Sequence, residues 1–123
     1  MQDALPSAPQ APEPVHIVVL CADWCHMCRG LEEVWPTLTA TLPQARWQWV
    51  DIEDEPDWTD PLNIDTFPTV LLAVGDQVMH CGPAPSTPER LAPALADLYR
   101  RANEGRATGP VDDAVHRLWQ HLR

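Results

Sequence analysis

The 123-residue chain contains no lysine, and arginine supplies all eight of its basic residues. A lysine is needed both for a P-loop phosphate site and for Schiff-base chemistry, so both kinds of site are excluded. Eighteen acidic residues give a formal net charge of −10, which argues against binding to nucleic acid or to an anionic membrane surface. We therefore expect no nucleic-acid partner and no membrane partner.

Long apolar runs are also missing from the sequence. No stretch approaches the roughly 18 residues of a membrane span, and the first 14 residues lack the basic and apolar parts of a secretory leader. These two absences predict a cytoplasmic protein. The same 14 residues contain Pro6, Pro9, Pro12 and Pro14, a composition that predicts a flexible N-terminal segment at 1–14 rather than a packed one.

The remaining length is that of one domain, and its apolar patterns predict an alternation of strands and helices. Four short runs are typical of strands, at residues 16–22, 46–52, 69–74 and 77–81, and the last two form a hairpin around Gly75 and Asp76. Helical patterns predict a helix from Cys25 to about Thr41 with a break at Pro36, and a short helix or turn within 55–63.

Two further helices are predicted near the C-terminus. The first begins at Ser86 with a capping box to Glu89 and is distorted at Pro93. The second is amphipathic, over residues 111–122, and follows a linker, so that 103–123 adds a helix that could cover exposed core or bind a partner. The order of these elements predicts a mixed α/β fold.

The segment Trp24, Cys25, His26, Met27, Cys28 lies where the first strand ends and a helix begins. Two thiols on one helical turn can form one disulfide. At a helix N-terminus the unpaired N–H groups favour a thiolate at Cys25, which is the nucleophilic form. His26 is a candidate for lowering the pKa of Cys25, because a protonated imidazole beside it would stabilise the thiolate. A histidine that faces solvent without effect is the alternative.

Cys21 and Cys81 end two of the predicted strands, and their pairing cannot be derived from the sequence. The first interpretation treats each as a small buried hydrophobic residue. The second is a further disulfide or relay pair. The third is a metal site in which Cys25, Cys28 and one of these two cysteines bind copper(I) or zinc, together with His26, His80 or Met27. We assign no metal ligand.

Three features in the right order identify a resemblance to a known family. They are the Trp-Cys-X-X-Cys segment after a strand, the segment Thr66, Phe67, Pro68, Thr69 that opens a hairpin strand, and the interval of 40 residues between Cys28 and Pro68. Over residues 15–102 the chain resembles the thioredoxin family. The resemblance implies an α/β thioredoxin-like fold with a central four-stranded mixed sheet flanked by helices, and a cis Pro68 facing the dithiol.

The resemblance also implies a function, namely thiol–disulfide exchange in cell redox homeostasis without a bound cofactor. Cys25 would attack a disulfide and Cys28 would resolve the mixed disulfide, while Trp24, Phe67 and Pro68 would bind the substrate. The expected partners are disulfide-containing protein substrates and a redox partner protein, and we expect a monomer.

The chain also departs from the family, because His26 and Met27 replace Gly-Pro and Val19 replaces a buried carboxylate. Proton transfer to Cys28 therefore needs another route. Two other functions stay open, a metal-binding or metallochaperone module that uses the same thiols, and an adaptor that docks partners through Phe67, Pro68 and the tryptophans.

Overall fold

A computed structural model describes residues 13–123 of the chain. The N-terminal segment predicted to be flexible, 1–14, lies outside the described residues except for its last two positions. The elements are β1 (Val15–Cys21), α1 (His26–Glu33), α2 (Trp35–Ala40), β2 (Arg46–Asp51), α3 (Pro56–Thr59) with a 3₁₀ turn (Asp60–Leu62), β3 (Thr69–Val74), β4 (Gln77–Pro83), α4 (Pro88–Asn103) and α5 (Asp113–Leu122). Their order confirms the predicted α/β fold.

The four strands form one mixed sheet in the order β2-β1-β3-β4. β1 runs parallel to β2 and antiparallel to β3, and β3 pairs with β4 as an antiparallel hairpin. β1 is therefore an interior strand that helices cover on both faces, which explains why it is apolar and buried from Ile17 to Cys21 instead of alternating with polar residues.

Alternate residues of β1 belong to two separate apolar clusters, one on each face of the sheet. Ile17, Val19 and Cys21 pack with residues of α1 and α4 on the first face. Val18 and Leu20 pack with residues of α5 on the second face. The active-site cysteines predicted from the sequence lie on the side of α1, and α5 covers the opposite side.

The first long helix is broken as predicted, but the break lies at Val34 and not at Pro36. α1 ends at Glu33, and Val34 leaves the helical region with φ −105° and ψ 14° before α2 begins at Trp35. Pro36 lies in the first turn of α2, where a missing N–H removes no intrahelical hydrogen bond.

The predicted start of α4 is wrong by one residue. Thr87, not Ser86, occupies the N-cap position, and the capping side-chain hydrogen bond expected between Ser86 and Glu89 is not formed. Pro88 favours this start, because its fixed φ suits the first helical position and the N–H that it lacks would have no intrahelical partner there. The helix continues without interruption through Pro93, which is exposed.

The C-terminal helix covers part of the apolar core, which is one of the two roles predicted for it. Val115, Leu118 and Trp119 are buried on the second face of the sheet. None of the helices in residues 13–123 combines the length and the apolar character needed to cross a bilayer.

Candidate active site

Cys25 occupies the N-cap position of α1, directly after the turn that follows β1. Its backbone N–H donates to the Ala22 carbonyl oxygen at 2.9 Å, and its own carbonyl oxygen accepts from the Arg29 N–H at 3.2 Å. Within residues 13–123 no side chain caps α1, and its first turn carries no acidic residue. The half-buried Cys25 thiol therefore lies at the positive end of the helix dipole without a competing acidic or capping side chain.

Cys28 is bonded to Cys21, and Cys25 carries a free thiol. The two bonded residues lie 5.8 Å apart between Cα atoms, and each is only 1% exposed. The bonded pair thus differs from the Cys25 and Cys28 pair expected from the sequence. The first interpretation of Cys21, as a small buried hydrophobic residue, is wrong because Cys21 forms a disulfide. Three cysteines, at positions 21, 25 and 28, meet at this end of β1.

Cys81 is separate from these three cysteines. It packs in the apolar cluster under α5, on the opposite face of the sheet from Cys21, so the two do not form the second pair considered above. Burial, and to a smaller extent the charge of Asp112, raise the pKa of the Cys81 thiol to about 11. Across the described residues, no group of three or more His, Cys, Asp or Glu side chains is arranged to hold a metal ion.

The Phe67–Pro68 peptide bond is cis, as predicted. The loop around it is fixed by the Thr69 hydroxyl, which donates to the Thr66 carbonyl oxygen at 2.8 Å, and by the Ala84 N–H, which donates to the Pro68 carbonyl oxygen at 3.0 Å. Phe67 and Cys25 both pack at the edge of the same apolar cluster. The structure therefore brings the loop and the helix start onto one side of the sheet.

Trp24 joins these two segments at the surface. Its ring meets Phe67 edge to face, with ring centroids 5.5 Å apart, yet 62% of Trp24 remains exposed. Met27, two residues after Cys25, is 55% exposed. Two large apolar side chains thus flank Cys25 in solvent, and His26 between Cys25 and Met27 is exposed as well.

A cavity of about 200 Å³ lies beside Cys28 and is lined mainly by polar side chains. Its carboxylates come from Asp23, Glu32, Asp51 and Asp54. Asp51 is the residue of β2 that pairs with Cys21 of β1, so their side chains point to the same face of the sheet. Asp51 could not be selected from the sequence, because it belongs to an acidic run typical of a solvated surface. Alignment of the two parallel strands is the signal that identifies it.

Val19 is fully buried in the cluster that contains Cys21 and Cys28. No carboxylate therefore occupies that position of β1, and the acidic residues near Cys28 are those that line the polar cavity.

Comparisons with known proteins agree with this fold. "Putative thioredoxin H10" of Arabidopsis thaliana is 28% identical over 87 residues, which cover 69% of this chain; the chain spans 56% of the length of that relative. The thioredoxin of Fasciola hepatica superposes with a TM-score of 0.59 at 16% identity, over 73% of this chain and 82% of that one. Oxidised mitochondrial thioredoxin 3 of Saccharomyces cerevisiae gives 0.56 at 21% identity, over 69% and 79%. The Thioredoxin family model matches residues 6–97, so this chain belongs to the thioredoxin family.

Proposed function

We propose that this chain is a thiol–disulfide oxidoreductase that exchanges two electrons with disulfides of proteins or small molecules through Cys25 and Cys28. The observation that carries the proposal is the pairing of a free, half-buried Cys25 at the start of α1 with a Cys28 whose sulfur is already part of a disulfide. Cys28 is therefore in a position to be oxidised and reduced. Membership of the thioredoxin family supports the same chemistry.

The proposed reaction starts from the form in which both cysteines are reduced. The Cys25 thiolate attacks one sulfur of the substrate disulfide, and the other substrate sulfur leaves as a thiolate that takes up a proton. Cys28 then loses its proton and attacks the Cys25 sulfur. The second substrate thiol leaves, a Cys25–Cys28 disulfide forms, and two electrons have passed to the substrate. A redox partner protein would restore the dithiol.

Trp24, Phe67 and Pro68 are proposed to bind the substrate chain. Trp24 and Met27 offer exposed apolar area on either side of Cys25, and the cis Pro68 loop borders the same side of the sheet. Apolar and aromatic side chains of this kind are common at the centres of protein interfaces. His26 is proposed to favour the Cys25 thiolate when its imidazole is protonated.

The polar cavity beside Cys28 is proposed as the proton route that the absence of a carboxylate at Val19 requires. Cys28 is 1% exposed, so its thiol cannot lose a proton directly to bulk water. The cavity has room for water and is lined by carboxylates, and of these Asp51 lies on the same face as the buried sulfurs. Water in the cavity would carry the proton from Cys28 to Asp51.

The test of this function is a pair of serine variants assayed for reduction of a protein disulfide such as that of insulin. Cys25→Ser should abolish the reduction, whereas Cys28→Ser should accumulate mixed disulfides through Cys25. The matched control is Cys81→Ser, which removes a thiol from the other face of the sheet and should keep full activity. Equal loss in the first two variants without any trapped mixed disulfide would contradict the assigned roles.

An adaptor function is the second candidate, and the exposure of Trp24 and Met27 is the observation that favours it. It predicts that Cys25→Ser leaves partner binding intact. The metallochaperone alternative has no comparable support, since residues 13–123 contain no ready cluster of ligands. The cytoplasmic location and the monomeric state stay predictions, which cell fractionation and analytical ultracentrifugation would test.

A further inference from the structure

We propose that Cys21 is a third redox-active cysteine of this site, and that the oxidised protein exchanges a single disulfide between the Cys21–Cys28 and Cys25–Cys28 pairs. The inference rests on the proposed function for the role of Cys25 as nucleophile. It goes beyond that function because a two-cysteine mechanism leaves Cys21 without a part.

The positions of the three cysteines carry the proposal. Cys21 is the last residue of β1, and Cys28 lies in the first turn of α1. Their Cα atoms are 5.8 Å apart, within the range of about 4.4–6.8 Å that a disulfide normally spans. Cys25 precedes Cys28 by three residues at the start of the same helix, the spacing at which side chains are neighbours. Cys28 therefore has a possible sulfur partner on each side.

The exchange is balanced without any external oxidant or reductant. The Cys25 thiolate attacks the Cys28 sulfur, the Cys25–Cys28 bond forms, and the Cys21–Cys28 bond breaks. Cys21 leaves as a thiolate and takes up the proton that Cys25 gave up. The reverse reaction regenerates the Cys21–Cys28 bond and returns a free thiol to Cys25. One disulfide and one thiol are present before and after the exchange.

Burial makes the two disulfides different in their access to other molecules. Cys21 and Cys28 are each 1% exposed, whereas Cys25 is half-buried and lies between two exposed side chains. An external thiol can reach the disulfide at Cys25 but not one that joins Cys21 to Cys28. The Cys21–Cys28 disulfide is therefore protected from external thiols in the interior. It is reduced only after exchange with Cys25 has moved the disulfide to the Cys25–Cys28 pair.

The first experiment maps the disulfide in the oxidised protein. The protein is equilibrated with oxidised glutathione, quenched in acid, alkylated in denaturant and cleaved after Trp24, which separates Cys21 from Cys25 and Cys28. We expect both a cross-linked peptide pair that joins Cys21 to Cys28 and a peptide that contains an internal Cys25–Cys28 bond. Alkylation of Cys21 in every oxidised molecule would overturn the proposal.

The second experiment measures how fast dithiothreitol reduces the Cys21–Cys28 bond. Cys25→Ser should still form this bond but lose it at least tenfold more slowly than the wild type, because the exchange that exposes the disulfide is blocked. Serine is a favoured N-cap residue, so the variant should fold, and Cys25→Ala provides a second variant with the same expected rate. Cys81→Ser is the control and should match the wild-type rate.

If the disulfide is reduced at equal rates in Cys25→Ser, Cys25→Ala and the wild type, Cys21–Cys28 is a structural bond and the proposed exchange is wrong. Neither experiment depends on turnover of a substrate. If the wild type does not reduce insulin although the disulfide map and the dithiothreitol reduction rates are as expected, the proposed function is contradicted and the exchange is not. The two failures are therefore distinguishable.

Discussion

Trp119 donates its indole N–H to the carbonyl oxygen of Gly75 at 2.9 Å, which links the last helix to the turn of the β3–β4 hairpin. Gly75 has φ +60°, a left-handed conformation that costs glycine little, and its carbonyl is thereby presented to the helix. Trp119 is 1% exposed, and its ring lies 4.9 Å from that of His16 on β1. One side chain thus joins α5 to both the hairpin and the central strand.

Replacement of Trp119 should therefore destabilise the fold in two steps. Trp119→Phe removes the hydrogen bond and should lower the free energy of unfolding by about 1–3 kcal/mol, because the partly buried Gly75 carbonyl loses its partner. Trp119→Ala also opens a cavity and should cost about 3–5 kcal/mol. Urea denaturation followed by circular dichroism measures both changes.

Trp24→Ala is the control for this comparison, since it truncates a tryptophan that is 62% exposed. Its cost should stay below about 1 kcal/mol. If truncation of Trp119 costs no more than truncation of Trp24, α5 does not stabilise the sheet in the way described.

The sequence predicted α5 as a helix, but not the surface that the helix covers. The spacing of Val115, Leu118 and Leu122 determines one apolar face, whereas the partner of that face depends on which side of the sheet the other helices leave open. The cis Pro68 and the position of Cys25 were predictable because a short motif at a fixed spacing carries them. These two features depend on local sequence, and the packing of α5 does not.

Cysteine pairing could not be predicted for a related reason. Cys25 and Cys28 share one helical turn, so the sequence pointed to them, but a disulfide depends on the separation of residues in space. Cys21 approaches Cys28 only because the turn after β1 brings α1 back onto the end of that strand. Asp51 joins the site in the same way, through the pairing of β2 with β1 and 30 positions away from Cys21 in the chain.

Asp51→Asn should slow the step in which Cys28 resolves the mixed disulfide. Asparagine has nearly the shape of aspartate and keeps an oxygen for the Glu53 N–H, which Asp51 Oδ1 accepts at 2.9 Å, but it cannot take up a proton. Because loss of a general base typically costs about 10²-fold or more, we expect at least a tenfold lower resolution rate with an unchanged rate of Cys25 attack. Single-turnover kinetics separate the two steps.

Glu53→Gln is the matched control, because Glu53 is exposed and does not line the cavity. It should leave both rates at the wild-type value. An unchanged resolution rate in Asp51→Asn would remove Asp51 from the proton route.

His80 should make the fold less stable in acid. Burial lowers the pKa of His80 below its ordinary value of 6.5. Its Nδ1 lies 2.9 Å from the Thr108 hydroxyl, while Nε2 is buried without a hydrogen-bond partner among the described residues, so a proton there would add a charge with no acceptor. The unfolded chain therefore binds a proton at a higher pH than the folded chain. Stability is fully present above about pH 6.5 and is lost as the pH falls towards the folded pKa.

His80→Gln should flatten this dependence, measured as the free energy of unfolding in urea between pH 7 and pH 5. His16, whose pKa is lowered by burial and then by Arg46 and Arg123, retains its own contribution in the same direction, so the slope should decrease without vanishing. His26→Gln, at an exposed position, controls for the loss of a histidine. A His80→Gln variant with the full wild-type slope would contradict this account of His80.

The two cysteines with free thiols should differ strongly in their reaction with iodoacetamide at pH 8. The pKa of Cys81, raised to about 11 by burial and by Asp112, leaves on the order of one thiol in 10³ ionised at that pH, and the side chain is packed under α5. Cys25 lies at the start of α1, half-buried beside solvent. Mass spectrometry of the folded, oxidised protein should therefore find the label on Cys25 first and on Cys81 only after unfolding.

Asp112→Asn should speed the labelling of Cys81 only slightly, because burial is the larger cause of its raised pKa. Rapid labelling of Cys81 in the wild type would show that α5 does not protect it.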